Sequence, residues 1–217
     1  MVPHAERTIV SKNPFDRRAA EYDAWFDTHA AVYRSELAAL RRVAPSTIGR
    51  GLAIGVGTGR FAAPLRVSVG VDPSVAMLAR ARERGVRPLV GVAESLPVAS
   101  DRFDTALVVT TVCFLDDLDR ALAEAGRVLR PGATILVGHI DRESPLGRRY
   151  RERAAADSFY REAIFHSTAN ILDALEDAGF TEQATAQTLF EDADADGPDP
   201  VEAGHGEGSF VALAAQR

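Results

Sequence analysis

The chain has 217 residues, 46% of them hydrophobic and 26% charged, an ordinary globular mixture that one well-packed domain accommodates. A net charge of −6 argues against a nucleic-acid backbone as the main partner, and the single cysteine, Cys113, excludes an internal disulfide and a multi-cysteine zinc site. No run reaches the length of a membrane-spanning helix, and the N-terminal MVPHAERTIVSKNPFD has no apolar signal core, so the expectation is a cytoplasmic protein without membrane contact.

In chain order, residues 14–44 read as helical. Phe15, Ala19, Tyr22, Trp25 and Phe26 recur at spacings of three and four and make one apolar stripe. A second helix over 31–43 ends before Pro45. The chain then alternates. Strands are predicted at 51–54, 67–71, 88–92, 103–111 and 133–140, with helices at 58–65, 74–84 and 116–129. Ser74 is placed to cap its helix and Gly85 to end it, while Pro131-Gly132 stops the helix that begins at Asp116. Residues 142–167 are polar and aromatic, read as helical, and interrupt the alternation. Their Arg148, Arg149, Arg151 and Arg153, interleaved with Glu152, read as a solvated face. A helix at 168–178 leads to strands at 181–190 and 209–216, joined by the acidic loop 191–208, read as a solvated mobile hairpin tip.

Strands alternating with helices imply an α/β fold, a Rossmann-like doubly wound sheet with helices on both faces. The last two strands are joined by a loop without a helix, so they should pair antiparallel. With no internal repeat and no linker, the chain reads as one domain over 1–217. Residues 1–48 form a helical cap and 142–167 an insertion.

The stretch GLAIGVGTGRFAAPL (51–65) carries the chemistry. Gly55, Gly57 and Gly59 follow the first predicted strand at every second position. A loop there lies at the switch point of a doubly wound sheet, where ligands bind, and glycine lets a ligand touch the backbone. A helix starting near Thr58 and Gly59 would offer free N–H groups to a negatively charged ligand group. Asp72 ends the next strand, where such folds place an acid to accept from ribose hydroxyls; it also reads as a helix N-terminal acid before Pro73 and Ser74. A dinucleotide, a nucleoside triphosphate and S-adenosylmethionine all remain open on these grounds. The spacing separates them. The dinucleotide pattern G-x-G-x-x-G would need glycine at Arg60, and there is no G-x-x-x-x-G-K-[ST]. Lys12 is the only lysine, which removes a Tyr-x-x-x-Lys reductase site.

Four pieces, IGVGTGRFA (54–62), VGVDPSVAML (69–78), GVAESLPVASDRFD (91–104) and LAEAGRVLRPGATILVG (122–138), resemble the class I S-adenosylmethionine-dependent methyltransferases of the small single-domain type, in that family's order and spacing. The resemblance implies a seven-stranded sheet with an antiparallel last strand, S-adenosylmethionine as cofactor, and in-line methyl transfer to a small-molecule acceptor. It implies that Gly55, Val56, Gly57, Thr58 and Gly59 line the methionine and ribose portion, that Asp72 binds the ribose hydroxyls, and that Pro73 and Met77 touch the adenine face. Ala93 and Glu94 would reach the adenine edge, and Thr110 and Cys113 would border the methionine amino group and the methyl. Two positions depart from the family's acids, Ala53 and Val92, and they motivate the alternative of a non-catalytic binding or regulatory protein.

A methyl transfer needs alignment first and a general base only when the acceptor loses a proton. Candidates for that chemistry are His139 and Asp141, after the fifth predicted strand, and Tyr22 on the first helix. His139-x-Asp141 lacks a third ligand, so no metal is expected. The aromatic side chains Trp25, Phe26, Phe114, Phe159, Tyr160 and Phe165 are the expected substrate pocket. A homodimer through the N-terminal helices is the assembly considered.

Overall fold

The computed structural model describes residues 14–154, 159–190 and 197–217. Residues 1–13 of the expected cap, 155–158 of the interrupting segment and 191–196 of the acidic loop lie outside the described residues.

The strands are β1 (Gly51–Ile54), β2 (Val69–Asp72), β3 (Arg87–Val90), β4 (Phe103–Val109), β5 (Leu129–Ile140), β6 (Thr181–Thr188), β7 (Glu202–Ala203) and β8 (Phe210–Gln216). They form one sheet in the order β3-β2-β1-β4-β5-β8-β6-β7. β1 to β5 pair in parallel, and β8 runs antiparallel between β5 and β6, as the missing helix before it requires. The eighth strand is β7, two residues that pair with Ala186 and Gln187 inside the predicted acidic loop. Two residues carry no hydrophobic period, so the sequence pattern misses them.

The helices are α1 (Pro14–Arg17), α2 (Ala19–Thr28), α3 (Ala30–Val43), α4 (Val75–Glu83), α5 (Leu118–Val128), α6 (Pro145–Arg153) and α7 (Thr168–Asp177). Alternate strand residues separate two buried layers, because successive side chains leave a strand on opposite faces. Leu52, Ile54, Ala106, Val108, Ile135, Val137, Val211 and Leu213 pack with α5 and α7. Ala53, Leu107, Val109, Leu136, Phe210 and Ala212 pack with α3 and Phe26 on the other face. Both faces are covered, which is why the central strands read as continuous apolar runs.

Three sequence expectations change. Residues 58–65 form successive turns where a helix was expected. Pro64 has no amide hydrogen to give the carbonyl of Arg60, and Tyr33 of α3 donates its hydroxyl to that carbonyl at 2.6 Å. The helix expected over 116–129 ends at Val128, and β5 starts at once at Leu129. Arg130 precedes a proline and is held extended, so Pro131-Gly132 lies within the strand, where the pairing with β4 shifts register. Of the described residues in 142–167, read as helical, only Pro145–Arg153 is α-helix; 159–162 form turns and 163–167 belong to no regular element. The remaining predicted boundaries move by no more than three residues.

Candidate active site

The chain runs outward from β1 to β2 and β3, then crosses to β4 on the other side of β1. This reversal opens a crevice at the carboxyl ends of β1, β2 and β4. It holds a cavity of about 810 Å³, within the usual size of small-molecule sites.

The glycine turn forms the floor. Gly55 has φ +66° and Gly57 φ +53°, both left-handed. A Cβ on Gly55 would stand 2.3 Å from Thr111 Cγ2, so the turn packs directly on the residue after β4. A Cβ on Gly57 would meet only Tyr22 Cε1, at 4.0 Å; it would project into the cavity. Gly57 donates its N–H to Asp72 Oδ2 at 2.8 Å, and Ser74 donates its N–H to Asp72 Oδ1 at 2.9 Å. Each carboxylate oxygen therefore keeps acceptor capacity, and the group lines the cavity. Burial raises the Asp72 pKa above the ordinary carboxylate value, against the two N–H bonds. Ser74 caps α4 by accepting from Met77 N at 3.2 Å, which seats Pro73 and Met77 on the cavity wall.

Ala93 and Glu94 line the wall beyond β3, and Glu94 Oε1 accepts from Asp116 N at 3.0 Å. At the end of β4 Thr110 has φ +50°, rare for a residue with a branched Cβ, and lines the cavity beside Thr111. The roof is aromatic. Phe15 packs 5.6 Å from Tyr22, 5.0 Å from Phe114 and 5.3 Å from Phe159, measured between ring centroids. Tyr22 stands 5.4 Å from Phe26. Burial raises the Tyr22 phenol pKa well above its ordinary value, over the opposing influence of Thr110.

Of the residues singled out in the sequence, the structure gathers Tyr22, Phe26, Gly55, Val56, Gly57, Thr58, Asp72, Pro73, Met77, Ala93, Glu94, Thr110, Phe114 and Phe159 around this one cavity. It does not bring seven others there. Gly59 turns its α-carbon toward α4, where a Cβ would lie 3.1 Å from Ala81 Cα. Trp25 stacks on His29 at 4.3 Å. Cys113, His139, Tyr160 and Phe165 line a second, inner cavity of about 30 Å³, with Thr110 between the two. Burial pushes the Cys113 thiol up to about 12.

His139 and Asp141 are the clearest displacement. His139 has the same strand parity as Val137 and so faces α7, where its Nε2 lies 3.2 Å from Thr168 Oγ1. Burial, over the pull of Asp141, lowers its pKa to about 4, which keeps the ring neutral. Asp141 accepts from Thr168 N (3.0 Å), Thr168 Oγ1 (2.5 Å) and Glu143 N (2.7 Å), so its carboxylate ties the end of β5 to the start of α7.

Sequence reasoning missed Phe15 as a cavity residue, although it belongs to the stripe of Tyr22 and Phe26. It also missed Arg60, Thr111, Arg161 and Ile164. Arg60 had a signal: it follows the glycine turn, and α2 offers two acids one helical turn apart, Asp23 and Asp27.

Residues 52–137 match the family model described as a methyltransferase domain. The chain is 41% identical over 205 residues to an uncharacterized protein of Methanocaldococcus jannaschii, covering 94% of this chain and 99% of that one. It is 29% identical over 187 residues to a malonyl-[acyl-carrier protein] O-methyltransferase of Methylococcus capsulatus, covering 81% and 67%. A crystal structure from Thermotoga maritima, described as a "SAM-dependent methyltransferase, possible histamine N-methyltransferase", superposes with a TM-score of 0.89 at 47% identity, covering 93% of this chain and 97% of that one. With the glycine turn, the acid ending β2 and the antiparallel β8 already in place, these matches make the chain a member of the S-adenosylmethionine-dependent methyltransferase family, with S-adenosylmethionine as its cofactor.

Proposed function

We propose that the chain transfers the methyl group of S-adenosylmethionine to a small-molecule acceptor held under the aromatic roof. The observation that carries this reading is the meeting, in one 810 Å³ cavity, of a backbone-lined floor with the rings of Phe15, Tyr22, Phe114 and Phe159.

The floor fits the cofactor. Gly57 leaves room for it, and Asp72 holds two N–H groups while presenting acceptor capacity to ribose hydroxyls. Pro73 and Met77, on the cavity wall, would supply an apolar face for the adenine, and Ala93 and Glu94 would border its edge. When bound, the cofactor supplies an electrophilic sulfonium methyl for in-line displacement.

The chain's own contribution is alignment and exclusion of water. Thr110 and Tyr22 border the end of the cavity where floor and roof meet. Tyr22 keeps its proton, so it serves as a hydrogen-bonding and packing group and not as a base. His139 and Asp141 act behind the wall, holding β5 to α7. The description of the Thermotoga maritima relative supports small amines, aromatic ones included, as the first acceptors to test.

Calorimetric titration with S-adenosylmethionine, S-adenosylhomocysteine and NADH, followed by an acceptor panel scored by S-adenosylhomocysteine release, tests the reading. Micromolar binding of the first two and turnover with small molecules is expected. Turnover with protein or nucleic acid and none with any small acceptor would overturn it.

A further inference from the structure

Helix α2 carries a carboxylate that is not among the residues lining the 810 Å³ cavity and that binds arginines reaching the glycine turn. Asp23 follows Tyr22 and is 6% exposed. Its Oδ1 accepts from Arg60 Nε at 2.9 Å and its Oδ2 from Arg84 Nη2 at 2.8 Å, with Arg80 Nη1 at 3.5 Å from Oδ2. Arg60 also forks onto Asp27, at 2.8 and 2.9 Å, and gives Nη2 to the Asp23 carbonyl at 3.1 Å.

Both arginines belong to the cofactor side of the molecule. Arg60 follows the glycine turn and lines the cavity. Arg84 follows α4 and gives its other nitrogen, Nη1, to the Thr58 carbonyl at 3.0 Å. Tyr33 holds the Arg60 carbonyl. Gly59 keeps backbone bonds, to Ala63 N and Val56 O at 3.0 Å each, but the carbonyls on either side of it, of Thr58 and Arg60, are held by the side chains of Arg84 and Tyr33, which help set where that backbone lies. Burial opposes the charge on Asp23, but the arginine bonds outweigh it and hold the carboxyl at about 2. A buried charge stripped of partners is costly, so α2 cannot drift off the turn without breaking the whole set.

We propose that Asp23 is a positioning residue for the cofactor: it latches α2, and Tyr22 with it, onto residues 58–60, so that cap and glycine turn close as one unit. The proposal rests on the cofactor alone and is independent of the acceptor. Arg60 and Arg84 share Asp23 as their common carboxylate, and Asp23 and Arg84 are not among the residues lining the 810 Å³ cavity, so the latch can be altered there without changing the lining.

Trp25, the chain's only tryptophan, lies on α2 half a turn from Asp23 and reports on the cap. The test compares native protein with Asp23→Asn and Arg84→Gln. Three readouts apply: S-adenosylhomocysteine binding by calorimetry, Trp25 emission with and without ligand, and hydrogen exchange at the amides of Gly57 and Gly59. Each substitution is expected to weaken binding about tenfold, to speed exchange in the ligand-free protein, and to shift Trp25 emission to the red, with a smaller change in kcat than in KM for the cofactor. The double variant should bind no more weakly than Asp23→Asn, since both changes open one latch. A folded variant that loses thermal stability while its ligand affinity, exchange and Trp25 emission stay native would overturn the proposal. So would additive losses in the double variant. If Asp23→Asn does not fold, Arg84→Gln, which leaves Asp23 paired with Arg60, decides on the same readouts.

Discussion

The two walls of the cavity are built by different means. The floor is backbone: left-handed glycines at 55 and 57, two N–H groups on Asp72, and a serine cap on α4, all within 51–77. The roof is side chain: Phe15 and Tyr22 from the N-terminal helices, Phe114 from the turn after β4, and Phe159 from the segment after α6. Floor geometry is short-range and depends on φ angles and strand ends, which one local pattern specifies. Roof geometry is long-range and depends on three segments meeting, which tolerates exchange of one apolar ring for another. A fixed cofactor and a variable acceptor call for this division, and the relatives the chain resembles are described with different acceptors.

Each wall can be broken separately. The largest effect is expected behind the roof, at Glu36 of α3, whose charge acts on both Tyr22 and Tyr160. Burial pushes its carboxyl from 4.5 up to about 8. The folded state binds the proton more tightly than the unfolded chain. Its contribution is therefore full below pH 4.5 and is lost as pH rises through about 8. Glu36→Gln should flatten that decline and add roughly 3 kcal/mol at pH 7, as denaturant titration across pH would show.

On the floor, Asp72→Asn should weaken S-adenosylhomocysteine binding on the order of 100-fold, because one N–H then faces an amide donor and the ribose loses its charged acceptor. The two glycines sharpen the contrast. Gly55→Ala should lose roughly 2 kcal/mol of stability by driving into Thr111, whereas Gly57→Ala should keep most of its stability and lose about tenfold in cofactor affinity. On the roof, Phe114→Ala should raise the acceptor KM about fivefold and leave the cofactor Kd within about twofold, measured under saturating partner. A cofactor Kd that moved as much as the acceptor KM would merge the two walls into one. Smallest of all, Arg130→Gln breaks an exposed pair with Asp104, distant from both walls, and should change stability by less than about 0.5 kcal/mol.

The sequence alone determined the features that rest on short-range physics. Alternating strands and helices specified the doubly wound sheet, the missing helix before residues 210–216 specified an antiparallel β8, and Gly55 and Gly57 with Asp72 marked the corner of the sheet where the 810 Å³ cavity lies. Tertiary structure decided what depends on distant partners. The turns at 58–65 follow from Pro64 meeting Tyr33 of α3, and the fate of His139 follows from strand parity and the arrival of Thr168. The roof follows from Phe15, Phe114 and Phe159 converging across the chain, and Arg60 becomes part of a latch only once α2 lies over the glycine turn. A local pattern records the φ angles and periods a segment needs; it holds no record of which ring or carboxylate will stand opposite when the layers pack.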